Sequence, residues 1–201
     1  MFPLDDNTLI EYTDNADRPL LVAPWSEARR IGLICRIAGV ILRDAQKRVC
    51  IRRRKKKDTG QLLWDVTAVT PVHLGESRED AVRRVLATEL GIHDAILTPF
   101  AVFMPSELGE PVHFSLFSAR ASLERPDSVR MGEHLFLDED ELNGLAGQMP
   151  EMLTTVLQQI IHTGNLWDGV RKRKACPDSG PVHPMSARRL AKQWSEAPDR
   201  Q

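Results

Sequence analysis

The most constraining feature of this chain is a helix whose two ends are both written into the sequence, between Ser77 and Gly91. Ser77 can accept a hydrogen bond from the first unpaired N–H groups, and Asp80, three places on, completes a capping-box pattern. Val82, Val85, Leu86 and Leu90 recur on one helical stripe, so one face is buried. Gly91 suits the left-handed residue that ends a helix. Apolar, β-branched segments lie on both sides, and a one-faced helix among strands must pack on a sheet. Hydrophobic residues make up 42% of the 201, which is enough for a core and argues against wholesale disorder.

The segments before the helix read as strands. Thr8–Thr13 and Leu20–Ala23 form a hairpin around the polar turn at residues 14–17, and Ser26 caps a helical turn through Arg30. Cys35–Arg43, Arg48–Arg53 and Leu63–Val72 follow as strands, the last as one continuous element. Beyond the helix, Leu97–Met104, Val112–Ala119 and His134–Leu137 are β segments, and Asp138–Leu145 is an acidic turn or short helix. Pro150 opens a second helix, carrying Met152, Leu153, Val156, Leu157, Ile160 and Ile161 on its apolar stripe and ending at Gly164. Residues 1–30 read as an N-terminal hairpin extension, 31–165 as the main domain, and 166–201 as a basic tail containing Arg171–Lys174.

Charge and cysteine content narrow the function classes. Lys plus Arg is 27 and Asp plus Glu is 28, a formal net charge of −1, so overall charge favours no polyanion or membrane partner. Aromatics are 5% and form no stacking series, so nucleic acid is not expected. Three cysteines, an odd count without a C-x-x-C pair, argue against a disulfide framework and a structural zinc site. No secretory leader or membrane span is read, and the expected compartment is the cytoplasm. The six histidines are scattered, without metal-ligand spacing.

The run from the strands through Gly75-Glu76 into a capped helix ending Leu90-Gly91-Ile92 resembles the Nudix superfamily, over roughly residues 8–162. That family's pattern is G-x5-E-x7-R-E-U-x-E-E-x-G-U, with U a bulky aliphatic. Its acids sit on one helix face and hold divalent cations, usually Mg²⁺, which neutralise a diphosphate and activate water. Here Glu76, Arg84, Leu86, Glu89, Gly91 and Ile92 match the pattern. Thr70 stands where the opening Gly belongs, and Val85 and Thr88 replace two of the three helical glutamates. Within the superfamily, residues 36–92 are most similar to the branch of isopentenyl diphosphate isomerase. The isomerase's catalytic cysteine would fall near Val69, a metal-binding histidine near Pro71, and another near Cys35, so isomerase activity is not implied.

The resemblance implies an α/β fold, a mixed sheet between helices in an α/β/α sandwich. It implies a diphosphate-containing small molecule as ligand, such as a nucleoside diphosphate derivative. Metal-dependent pyrophosphohydrolase activity is expected to be weak or lost, with Mg²⁺ weakly bound or absent. Glu89 and Glu76 are the catalytic candidates and, with Glu110, the metal candidates. Glu76 either ligates or pairs with Arg84 to brace the loop, and bracing is the preferred reading. Arg84 and Gly91 are structural members of the motif. In the basic run, alternation places Arg52 and Arg54 on one face, and these with Lys56 are phosphate-binding candidates. Trp64 is a further substrate-binding candidate, in a cleft between the motif helix and the basic strand. Nudix proteins often dimerise, which makes a homodimer an expected state. The rival reading is a non-catalytic sensor or scaffold that acts through a protein or nucleic-acid partner by way of its basic tail.

Overall fold

A computed structural model of the chain describes residues 5–55, 60–120, 133–163, 166 and 167. Nine strands and five α-helices are found among these residues. They are β1 (Leu9–Thr13), β2 (Pro19–Pro24), α1 (Trp25–Ile31), β3 (Ile34–Arg43), β4 (Val49–Lys55), β5 (Leu62–Val66), β6 (Ala68–Pro71) and α2 (Arg78–Leu90). β7 (Ile96–Phe103), α3 (Pro105–Leu108), β8 (Val112–Arg120), β9 (His134–Leu137), α4 (Glu139–Gln148) and α5 (Thr155–His162) follow.

The organising element is β3, whose ten residues ICRIAGVILR are almost continuously buried. A strand apolar on both faces belongs in the middle of a covered sheet. It pairs in parallel with β8 along nine positions, from Cys35–Val112 to Arg43–Arg120. On its other edge it meets β1, β6 and β4 in turn, all antiparallel. Side chains of β3 then alternate between two apolar layers. Ala38, Val40 and Leu42 face α2, with Cys50, Ala68, Val82, Val85, Leu86, Leu90 and Phe117. Cys35, Ile37 and Ile41 face the opposite layer, covered by α3, α4 and α5 through Leu108, Leu142, Leu157 and Ile160. This is the expected sandwich of a mixed sheet between helices.

The hairpin at the N-terminus is part of that sheet. Ile10 and Tyr12 are fully buried in the second layer. On the α2 side, Glu11 and Asp17 accept from the buried guanidinium of Arg36, and Arg78 at the start of α2 donates to Asp17. The main domain also runs past residue 165, because Leu166 is buried in the core and the Arg43 guanidinium lies 5.6 Å from the Trp167 ring. Of the tail, residues 168–201 lie outside the described residues, as does Gly164. No helix among the described residues is long and apolar enough to cross a membrane.

Two elements depart from the sequence pattern. The single strand expected over Leu63–Val72 is split at Thr67, so β5 pairs with β4 while β6 pairs with β3. Thr67 is fully buried and bridges the gap: its hydroxyl donates to the Cys50 carbonyl (2.5 Å) and accepts from Leu42 N–H (2.9 Å). Two strands compete for one run of β-branched residues, and periodicity is blind to that competition. The helix expected from Pro150 is a 3₁₀ turn over Pro150–Met152, an extended Leu153, and then α5 capped by Thr154. The open edge of β5 captures the chain there, with Thr154 N–H donating to the Trp64 carbonyl (2.9 Å). A Thr67→Val variant, isosteric but without the hydroxyl, leaves two buried backbone groups unpaired. It is expected to lose about 2 kcal/mol or more, read as a lower denaturant midpoint at unchanged slope.

Candidate functional site

The loop from Thr70 to Ser77 is tied to α2 by one arginine. Arg84 Nε and Nη2 donate to the two carboxylate oxygens of Glu76 (2.8 and 2.9 Å). The same guanidinium donates to Thr70 Oγ1 (3.2 Å) and to the Pro71 carbonyl (3.0 Å). Glu76 also accepts from the His73 N–H (2.9 Å), so the loop closes on itself. Burial pushes the Glu76 carboxyl up, but the Arg84 and His73 hydrogen bonds outweigh it and its pKa ends below the usual 4.5. Burial and the Arg84 charge hold the His73 imidazole down, against a smaller opposing pull from Glu76. The helix itself starts and stops where the sequence says. Ser77 Oγ accepts from Asp80 N–H (3.0 Å), and Gly91 ends α2 in the left-handed region at φ 66°.

Near the far end of that helix the matching acid, Glu89, accepts from Arg52 of β4, and the two side chains are 11% and 25% exposed. Thr88 gives its hydroxyl to the Arg84 carbonyl one turn back (2.9 Å), a contact confined to its own helix. Val85 is 3% exposed and belongs to the apolar layer under α2. Arg54 shares the Arg52 face, as alternation requires, and pairs with Asp65 at 3.1 Å. Asp65 also accepts from the Thr154 hydroxyl (2.9 Å), which fixes the start of α5 against β5.

The remaining candidates are not gathered at this place. Trp64 packs against the layer on the sheet face opposite α2 and carries Arg53 over its ring at 5.7 Å. The anticipated cleft bounded by α2, the basic strand and Trp64 together does not form, because neighbouring side chains of a strand point to opposite faces. Lys56 lies outside the described residues. Glu110 is exposed and lines a cleft on the Trp64 side of the sheet. No three His, Cys, Asp or Glu side chains cluster as metal ligands among the described residues, so Glu76, Glu89 and Glu110 are not brought together.

That cleft encloses about 330 Å³. Trp25, Leu33, Ile37, Val69, Val112 and Phe114 make its apolar wall, and Asp65, Glu110, Thr154 and Thr155 its polar part. Cys35 also lines it, but burial pushes that thiol up to about 12, which keeps it protonated and inert at neutral pH. Sequence reading missed Asp65 and Thr154. The one visible trace was an acid inside an otherwise apolar strand beside a basic one.

Glu76→Gln is expected to cost about 2 kcal/mol at neutral pH, since it removes a charge-assisted, partly buried pair. The folded carboxyl titrates below its ordinary value of 4.5, so its contribution is full above that value and fades as pH falls through the lower one. Denaturant midpoints of wild type and variant should therefore converge in acid.

No family model matches the chain. It is 36% identical over 115 residues to PA4841, an uncharacterized Nudix hydrolase of Pseudomonas aeruginosa, covering 57% of this chain and 68% of that one. The fold is similar to that of DR0079 from Deinococcus radiodurans, with a TM-score of 0.61 at 20% identity over 77% of this chain and 98% of that one. It is also similar to that of a MutT/nudix family protein from Listeria innocua, with a TM-score of 0.50 at 19% identity over 65% and 90% of the two chains. Those two likenesses concern architecture, whereas the Pseudomonas relative carries sequence identity through two thirds of its own length. The chain belongs to the Nudix hydrolase family.

Proposed function

We propose that this Nudix protein binds a diphosphate-containing small molecule and that its metal-dependent pyrophosphohydrolase activity is weak or lost. The observation that carries the reading is the state of the acids on α2. Two of the three helical positions hold Val85, buried in the core, and Thr88, turned onto its own backbone. The two remaining carboxylates, Glu76 and Glu89, are each held by an arginine. Mg²⁺ demands several oxygen ligands in an octahedral array. The described residues do not fit such an ion on this helix.

Ligand binding is supported separately. The cleft offers an apolar wall for the body of a small molecule, with hydrogen-bonding groups along one side. Its cationic neighbour is Arg54, paired to the lining residue Asp65. Val69, near which the isomerase branch would carry its catalytic cysteine, lines this cleft. The likeness to that branch thus supports the cleft as a ligand site without supporting isomerisation.

A panel of nucleoside diphosphate derivatives with Mg²⁺ tests both halves. Some members should raise the melting temperature, by an amount that grows with the logarithm of ligand concentration above the Kd. Turnover should stay below about 0.01 s⁻¹, well under the 1–10³ s⁻¹ typical of enzymes. Turnover near 1 s⁻¹ that disappears in Glu89→Gln would show a working catalyst and sink the second half. No stabilisation by any diphosphate would sink the first, and would leave a non-catalytic module acting through a partner.

A further inference from the structure

The acid on α2 and the base on β4 form one unit. Arg52 Nη1 donates to Glu89 Oε2, across 37 residues of sequence. Glu89 is the one helical acid of the motif still present, and this contact occupies it. Glu76, the other matching acid, spends both oxygens on Arg84. The basic partner is the less buried of the pair. Arg52 uses a single N–H on Glu89 while a quarter of its side chain stays exposed. A guanidinium has five donors, so the rest of the fork remains accessible. In register across the sheet, Asp65 flanks Arg52 on one side and His134 on the other.

Charge and geometry favour the arginine over a metal ion at this position. A guanidinium stays protonated in proteins and is weakly hydrated, whereas Mg²⁺ gives up its water reluctantly. To reach Glu89 an ion must displace Arg52 and leave its charge uncompensated in a largely buried place. In return it gains one anionic ligand, because Val85 and Thr88 offer none. Phosphate oxygens meet no such obstacle: the accessible N–H groups suit two-pronged binding of an oxyanion.

We propose that Arg52 takes the place of the divalent cation at the Nudix helix. It occupies Glu89 and so keeps metal out, and it presents its free N–H groups to phosphate oxygens, so that anion binding at this face needs no metal. The anion half rests on the diphosphate reading given above for its ligand class and not on the cleft, which opens on the opposite face of the sheet; the metal half stands apart from it.

The full-length protein is titrated with inorganic pyrophosphate by calorimetry, once in Mg²⁺ and once in EDTA. The two affinities should agree within about twofold, and Arg52→Gln should weaken binding about tenfold or more, the worth of one charged hydrogen bond. Arg52→Lys keeps the charge without the fork and should fall between. Pyrophosphate binding that vanishes in EDTA, or that Arg52→Gln leaves unchanged, overturns the anion half. Absence of pyrophosphate binding under both conditions counts against the diphosphate reading and removes the anion half with it.

The metal half is decided by Mn²⁺ titration followed by electron paramagnetic resonance. Thr88 is exposed, so Thr88→Glu adds a second carboxylate without entering the core. Adding Arg52→Gln to that variant should raise Mn²⁺ affinity about tenfold or more, since it frees Glu89. Circular dichroism melts confirm that both variants fold, and Arg52→Lys in the same background supplies the comparison should Arg52→Gln melt early. Equal Mn²⁺ affinity with and without the arginine, or tight Mn²⁺ binding by the wild type, overturns the metal half.

Discussion

Everything in this molecule is arranged around a strand that has no solvent side. β3 is covered on both faces and hydrogen-bonded on both edges, so its one charged interior residue, Arg36, has to be neutralised in place. Glu11 and Asp17 do this from the N-terminal hairpin, and Asp17 reaches on to Arg78 at the head of α2. One buried charge therefore draws the hairpin onto the sheet edge and ties the first turn of α2 to both. What reads in sequence as an appended hairpin is held by a charge that the core cannot otherwise tolerate.

The same economy governs the far end of α2. Packing and chemistry compete for its sheet-facing stripe, and at Val85 packing has the position: the side chain fills the apolar layer with Leu86, Val82 and Phe117. A glutamate there would set a carboxylate among hydrocarbon, so the altered motif is built into the core rather than confined to the surface. The acids that remain are balanced one for one, Glu76 by Arg84 and Glu89 by Arg52. Arg84 does further work by gathering Thr70, Pro71 and Glu76 into one loop. The loop–helix unit of a Nudix protein thus persists as an ion-paired brace, and the apolar cleft opens on the other side of the sheet.

Much of this was legible beforehand for a definite reason. The caps at Ser77 and Gly91, the stripe of α2 and the Glu76–Arg84 pairing depend on contacts within about twenty residues, where spacing alone dictates who meets whom. The break at Thr67 and the delayed start of α5 at Thr155 were not legible, because each is decided by a distant edge: β4 and β3 dividing one run of residues, and β5 capturing Thr154. Trp64 failed as a neighbour of α2 by a single step of alternation, which sends it to the face opposite Arg52.

The sequence by itself determined the family, the sandwich of helices about a mixed sheet, and which motif acids are present, since these follow from residue identity and local period. Only the tertiary structure decided that Glu89 meets Arg52, that Glu110 lines a different cleft, and that Asp65 and Thr154 join β5 to α5. Partners of that kind are chosen by strand register and by the face each side chain takes. Both are fixed when far-apart segments come together, and neither can be read from spacing along the chain.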